Sequence, residues 1–478
     1  MKWQEESKLP EPMCSLNLRN PVFWSALLCL VPSLQAYQPR FTVEVSAQAS
    51  AVYILACLSH QIPCTRMKFQ GRESQPAVAE WKAAFAAMPP IESDAYSYPF
   101  LPNTPALFPQ QRRQQHILEA LFDSRSAGEL ARQAHLDPAL ARKLWNALLS
   151  MRSTMPRMPS SLLTMRNASQ KLLRDTRVSQ LTQDIATLLN PSNANESIIL
   201  HLIPSPDPTT DDATGTMIGR HVFVEITNFA KAEFGPSIAM HETIHYLYDS
   251  VSPETHRERM QMFLARSYPR ASSFYTLFNE ALAIASQRLL DIRMGENPDS
   301  EGDNDTYRDA YIPRAGNVLG PILEQWVSQR GRFDERFVRA YLDGCAKEFT
   351  PDLDSPRFLL VSGVFVASAS AEAALDQFLS DLQSHSNVRL KPEDASFSRF
   401  THAPLVLLGT SAELRPFWTR YPPIERFAAE SPFIFTTMDR GADIARPVIV
   451  LGGSGVDTIR AAAKELLSRT VWDASVSH

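Results

Sequence analysis

The chain has 478 residues, and its 47 lysines and arginines against 52 aspartates and glutamates give a formal net charge of −5. Hydrophobic residues make up 44% of it, which is enough for a large core and excludes a mostly disordered chain. Because there is no basic excess, a dedicated binder of nucleic acid or of anionic membranes is also disfavoured. At about 150 residues per domain, the length predicts roughly three domains.

The amino terminus carries a short apolar run, PVFWSALLCLVPSLQA, at residues 21–36. A stable membrane-spanning helix needs about 20 such residues, so this run is too short to be one. With Arg19 before it and the small residue Ala36 at its end, it predicts a secretory signal peptide that is cleaved after Ala36. Whether translation starts at Met1 or Met13 stays open, and a buried amino-terminal helix is the alternative. We therefore expect a periplasmic or secreted protein with no stable membrane span.

Cysteine usage is compatible with export. Removal of the signal leaves Cys57, Cys64 and Cys345. The first two are close enough in sequence to close as a disulfide in an oxidising compartment, although two buried free thiols fit nearly as well. No CxxC pair occurs in the sequence, so a structural cysteine zinc site is not supported.

The first third of the chain is predicted to be mostly helical. Alternating apolar residues near Phe41 indicate a strand, an Ala-rich helix is expected at residues 76–88, and a proline-rich connector follows. Helical periodicity over residues 112–151 ends in a pattern typical of a helix-turn-helix at residues 126–151. The few basic residues there favour a plain packing unit, but a DNA-binding cytosolic regulator with a peptidase domain stays open as a rival interpretation.

Strands and helices are predicted to alternate in the remainder. Residues 197–203 and 221–226 read as strands, and residues 236–249 and 272–294 as helices. After about residue 350, apolar runs (358–366, 404–408, 433–436, 447–451) alternate with helices near 370–384 and 455–468, which predicts an α/β module. Its LGGSGVD segment fits either an anion cradle or a tight strand-to-helix turn. The predicted divisions are a signal peptide, a helical amino-terminal region, a catalytic domain and an α/β carboxy-terminal domain (1–36, 37–165, 166–350, 351–478).

The chemistry is concentrated in GPSIAMHETIHYLYD, residues 235–249. On a helix His241 and His245 project from one face and can share a metal ion. Glu242 is then placed to take a proton from water at that metal. Zn²⁺ suits such a site, because two imidazoles and one carboxylate leave a fourth position open for water. The alternative is a pair of ordinary surface or core histidines.

The third metal ligand is predicted to be Glu280, on the following helix. Its helical neighbours Leu277, Ala281 and Ile284 are apolar, and a carboxylate on such a face needs a partner that a metal would supply. The alternative is an ordinary ion pair with Arg288 at the edge of the helix.

Residues 195–295 resemble the zincin metallopeptidases, and among them the gluzincins, which combine His-Glu-x-x-His with a Glu on a following helix. The resemblance implies an α+β zincin-like core in which His241, His245 and Glu280 bind zinc and Glu242 is the general base. Asp249 and the pair Asn279–Glu280 are similar to the thermolysin-like subgroup.

The similarity to that subgroup then ends. It has an acidic residue four positions after the ligand Glu, and this chain has Ile284 there. Orientation of His241 must come from another group, and Asp249 or a backbone carbonyl is expected. Candidate donors for the oxyanion, each of which also fits a structural role, are Tyr307, Tyr311, His256 and His402. Residues 221–226 are the expected edge strand for an extended substrate, unless they form an interior strand.

We therefore predict an exported zinc peptidase acting on peptide or protein substrates, with no nucleic acid as partner. A non-catalytic envelope protein that keeps a zincin fold for binding or scaffolding is the alternative from another class.

Overall fold

The structure, a computed structural model, describes residues 40–59, 61–62, 71–88, 109–155, 160–192, 197–204, 214–226, 236–265, 268, 270–296, 309–383, 388–390, 392, 402–417, 421, 432–439 and 446–472. The predicted signal peptide, most of the proline-rich connector and Tyr307 lie outside these ranges. The described helices are α1 (Ala47–Leu58), α2 (Pro76–Ala86), α3 (Pro109–Asp123), α4 (Ala127–Gln133), α5 (Pro138–Ser153), α6 (Ser160–Leu172), α7 (Thr176–Leu189), α8 (Pro236–Asp249), α9 (Pro253–Leu264), α10 (Ala271–Met294), α11 (Tyr311–Ser328), α12 (Glu335–Glu348), α13 (Pro356–Leu359), α14 (Glu372–Leu382) and α15 (Val456–Ser468). The described strands are β1 (Arg40–Glu44), β2 (Ser197–Pro204), β3 (Thr214–Ile218), β4 (His221–Ile226), β5 (Val364–Ala367), β6 (Val388–Leu390), β7 (Leu405–Thr410), β8 (Phe433–Asp439) and β9 (Arg446–Gly453).

The first sheet packs against the helix that contains His241, Glu242 and His245. Its described strands follow the order β1-β2-β4-β3, in which β1, β2 and β4 are parallel and β3 is antiparallel to β4. A two-residue turn at Gly219 and Arg220 joins β3 to β4, and Gly219 has a φ of +54°, which suits glycine. The expectation that residues 221–226 form the edge strand is therefore wrong. They form the interior strand β4, since the hairpin adds β3 outside it.

The two faces of this sheet pack against different helices. Tyr53 of α1 stacks on Phe223 of β4 with ring centroids 5.3 Å apart, and its hydroxyl donates to Glu225 Oε1 at 2.6 Å. Gly215 of β3 lies against Glu242 of α8. Because Gly215 pairs with the β4 residue between Phe223 and Glu225, it points to the opposite face. The sheet thus separates α1 from the helix that carries the two histidines.

Helix α1 was not predicted, although it is central to the core. Its first turn is capped by Ser46, whose hydroxyl accepts from Ala49 N at 3.3 Å. Every residue from Ala49 to Leu58 is buried. A helix that is apolar on all sides has no amphipathic periodicity, so its pattern cannot be distinguished from other buried segments.

The helix-turn-helix pattern corresponds to α4 and α5. The chain turns between them at His135, which has a φ of 51°. Asp137 caps α5 by accepting from the backbone N–H groups of Ala139 and Leu140. One face of α5 is buried in the core of the amino-terminal helices, whereas Arg142 and Lys143 are exposed.

The second sheet lies in the carboxy-terminal part of the chain. Its described strands follow the order β6-β5-β7-β9-β8, and β8 is antiparallel to β9 while the other pairs are parallel. Helices α14 and α15 share its core, and they confirm the helices expected near 370–384 and 455–468. In the LGGSGVD turn, Thr458 Oγ1 accepts from Gly455 N at 3.0 Å and donates to Gly455 O at 2.7 Å. Both backbone polar groups of Gly455 are therefore bonded within the turn.

Other predicted elements had mixed outcomes. Strands β2 and β4 and helices α8 and α10 are confirmed at the expected positions. The strand expected at residues 358–366 is wrong in its first half, where residues 356–362 are helical. Ser355 starts that turn by accepting from Arg357 N, with Pro356 in the first helical position.

The described residues belong to one compact unit, residues 38–478. Because β1 pairs with β2, the first sheet contains strands from both sides of the division expected at residue 165. Cys57 is in a disulfide whose partner lies outside the described residues, so its pairing with Cys64 stays a prediction; Cys345 is a buried free thiol. No helix in the described part of the chain combines the length and apolar character needed to cross a bilayer.

Candidate metal centre

Helix α8 places the two histidines of the motif on one face. The helix begins at Pro236 and buries Met240, Ile244 and Leu247, so its orientation against the sheet and its neighbours is determined by these apolar side chains. His241 and His245 follow one another by one helical turn, and their Nε2 atoms lie 3.1 Å apart.

Helix α10 brings Glu280 to the same point. Glu280 Oε2 lies 3.5 Å from His241 Nε2 and 3.6 Å from His245 Nε2. Two ligands of a tetrahedral zinc ion, each about 2.0–2.1 Å from the metal, are about 3.3 Å apart. The three observed separations lie close to that value. The predicted ligands therefore converge, and their nitrogen and oxygen donors fit Zn²⁺.

Asn279 orients one of the imidazoles. Its side-chain Oδ1 lies 3.1 Å from His245 Nδ1. A carbonyl oxygen can only accept, so Nδ1 of His245 donates this bond and Nε2 is the ring nitrogen available to a metal ion. Nε2 of His245 faces His241 and Glu280, so a metal that displaces any proton from Nε2 would find the imidazole in the orientation that a ligand requires.

The charges of the site favour a bound cation. Burial alone would lower the pKa of His245, but the charge and hydrogen bond of Glu280 raise that pKa to about 10. Burial would raise the pKa of Glu280, yet His245 and His241 hold it well below its usual range. The carboxylate thus draws positive charge to the point where the three donors meet.

Glu242 lies next to the three donors and is itself 8% exposed. Its pKa is raised by burial, and this is opposed by the charges of His241 and His245 and reinforced by Glu280. A raised pKa favours uptake of a proton by this carboxyl group, which contacts the edge strand at Gly215. This is the role that the motif predicted for Glu242.

Asp249 is half-buried and belongs to a second cluster of charged groups, which includes Arg259. Burial raises the pKa of Asp249 to about 6, and the charges acting against this rise are those of His245 and Arg259. Arg259 is 3% exposed and donates to Leu189 O. His245 and Arg259 are thus the charges that oppose the raised pKa of Asp249, and the orientation of His241 by Asp249 stays a prediction.

The departure from the thermolysin-like pattern at Ile284 has a packing reason. Ile284 is buried, and a Cβ atom built on Gly316 of α11 would lie 2.7 Å from Ile284 Cγ2. The side chain therefore fills the close contact between α10 and α11. A carboxylate at residue 284 would be buried in an apolar helix contact, where it would lack the polar partners that it has in the thermolysin-like subgroup.

The described candidates for the oxyanion donor have other neighbours. Tyr311 packs against Phe349 and Phe358, with ring centroids 6.0 and 5.1 Å away. His256 is buried with its ring 5.6 Å from that of Tyr248. His402 lies three residues before the start of β7 in the second sheet.

The element that sequence reasoning missed at the site is β3. Residues 214–218 were not predicted as a strand, although Gly219 and Arg220 separate them from β4 by a two-residue loop typical of hairpins. That signal could have identified the edge strand, and with it Gly215, which lies directly against Glu242.

No family model, no curated protein and no solved structure matches the chain. The case for a function therefore depends on the geometry of His241, His245, Glu280 and Glu242, together with the motif-level resemblance over residues 195–295.

Proposed function

We propose that this chain is a zinc-dependent peptidase that hydrolyses peptide bonds in peptide or protein substrates. The observation that carries the proposal is the convergence of two imidazoles and a carboxylate from two helices, with a separate buried carboxyl group beside them. His241, His245 and Glu280 would hold the zinc ion. Glu242 is left free for proton transfer.

A zinc ion held by His241, His245 and Glu280 would supply a Lewis acid, which makes water acidic enough to give a nucleophile at neutral pH. Glu242 accepts the proton of the attacking water and later delivers it to the leaving amine. Burial supports both steps, because it raises the pKa of Glu242 and so brings the acid and base forms closer in energy. Asn279 keeps His245 in the correct tautomer throughout.

The substrate would bind as an extended chain along β3. In the described part of the sheet, β3 has one side paired with β4 and the other side open. An extended peptide can add to such an edge through main-chain hydrogen bonds. Gly215 and Met217 point to the α8 side of β3 and are partly exposed, so a peptide there would lie beside Glu242.

Export to the periplasm or the medium is part of the proposal. The apolar run at residues 21–36 is its main support. The disulfide at Cys57 agrees with it, because disulfides persist in oxidising compartments.

The test uses purified full-length chain, stripped of metal and reloaded with zinc. We expect about one zinc per chain and hydrolysis of an unfolded, fluorophore-labelled protein substrate. Glu242→Gln should keep the zinc and lose about 10²–10⁴-fold in turnover, whereas His241→Ala should lose the zinc as well. The matched control is Glu324→Gln on the exposed side of α11, which should change neither.

Two results would reject the proposal. Wild-type turnover in Glu242→Gln would exclude this residue as the general base. Zinc bound by the wild type without hydrolysis of any unfolded substrate would leave a non-catalytic zinc protein instead.

A further inference from the structure

Gly215 occupies a position where glycine needs an explanation. It lies inside β3, paired with Val224 of β4. Glycine weakens a strand, because it has no side chain to pack and loses more conformational freedom on folding than other residues. Glycine is usually needed where the backbone has a positive φ, which other residues rarely adopt. Gly215 does not have one, since the described glycines with positive φ are Gly71, Gly219 and Gly295. The backbone of Gly215 would therefore accept any residue.

The reason for glycine is the space beside it. A Cβ atom at residue 215 would lie 2.3 Å from Glu242 Oε1 and 2.9 Å from both Cδ and Cγ of the same side chain. Separations under 3.0 Å do not occur for real Cβ atoms. The Glu242 side chain thus lies across the strand in the volume that any other residue would fill.

We propose that Gly215 is a positioning residue for Glu242, which holds the carboxylate between α8 and the edge strand by leaving that volume empty. The inference rests on the proposed function of Glu242 as the proton acceptor. Strand β3 then has two roles, since it determines where the Glu242 carboxylate lies and offers its open edge to the substrate. A methyl group at residue 215 would turn the carboxylate away from its place, since its three nearest atoms would all belong to Glu242.

The kinetic test is Gly215→Ala in the zinc-loaded chain. A displacement of about 1 Å in a reacting group can cost about 100-fold in rate, so we expect kcat to fall about 100-fold while KM and zinc affinity stay within about threefold. Gly128→Ala in α4 is the matched control, because its new Cβ would come no closer than 4.0 Å to a neighbouring atom. Loss of zinc affinity in parallel with kcat would overturn the inference, since it would mean a general distortion of the site.

A second measurement does not depend on catalysis. Resistance of the metal-free chain to urea is compared for the wild type, Gly215→Ala, Glu242→Ala and the double variant. Gly215→Ala should lower the unfolding midpoint in the wild-type background and leave it unchanged or raised in the Glu242→Ala background, where the obstructing side chain is gone. If Gly215→Ala alone does not fold but the double variant with Glu242→Ala does, this result supports the inference in the same way.

Equal losses in the two backgrounds, or failure of both Gly215→Ala proteins to fold, would overturn the inference, whatever the outcome for hydrolysis. The two substitutions could instead be coupled in their effect on the urea midpoint while the wild-type chain hydrolyses no peptide. That result would retain the contact between Gly215 and Glu242 and reject the proposed function.

Discussion

Replacing Asn279 by Ala removes the acceptor that holds His245 Nδ1 at 3.1 Å. A neutral hydrogen bond of ordinary length contributes about 0.5–1.5 kcal/mol, and loss of an outer partner of a ligating histidine typically costs about 10–100-fold in metal affinity. The His245 side chain is 13% exposed, so water can replace part of the lost bond. We therefore expect the lower end of that range, about a tenfold loss of zinc affinity or about 1.4 kcal/mol.

The assay is competition for zinc against a chromophoric chelator at constant pH. Asn279→Asp is the matched control, because a carboxylate oxygen also accepts from Nδ1 and adds negative charge near the metal. Its affinity should equal or exceed that of the wild type. An Asn279→Ala protein within twofold of wild type, or an Asp variant as weak as the Ala variant, would refute the role assigned to this side chain.

Two further predictions concern the other face of the first sheet. Burial and the charge of His221 lower the pKa of His201 to about 3, so the folded state resists protonation and stability falls as pH drops from about 6.5 towards 3. Between pH 7 and 5 this loss in the free energy of unfolding is about 2 kcal/mol. In urea unfolding, the stability of His201→Leu should therefore depend less on pH than that of the wild type. Parallel stability–pH curves for the two proteins would contradict the assignment. The Tyr53 hydroxyl donates at 2.6 Å to the buried carboxylate of Glu225, so Tyr53→Phe should lower the free energy of unfolding by about 1.5–3 kcal/mol. A loss below about 0.5 kcal/mol would mean that the bond contributes little.

Local patterns in the sequence were sufficient for the elements that carry the metal ligands. Because His241 and His245 are four residues apart, a helix places them on the same face. Pro236 and the apolar stripe around them indicate that helix. Glu280 could be selected because an acid on an apolar helical face needs a partner. Both inferences use contacts within one helix.

The remaining features depend on pairing between distant segments. Whether β4 lies inside the sheet or at its edge depends on β3, and the TGTMI sequence of residues 214–218 has too few apolar residues to identify a strand without the hairpin turn that follows it. The place of Gly215 beside Glu242 follows from register and helix packing together, which no single segment encodes. Helix α1 was missed for the opposite reason, because burial on every side removes the period that identifies a surface helix.

The central claim is that two imidazoles and one carboxylate hold a zinc ion with a position left for water. X-ray absorption at the zinc edge of the zinc-loaded full-length chain measures this directly. We predict about four nitrogen or oxygen neighbours at about 2.0–2.1 Å from the zinc, with imidazole signals that are lost in a His245→Ala protein. A sulfur neighbour at about 2.3 Å, or a spectrum that His245→Ala leaves unchanged, would contradict it.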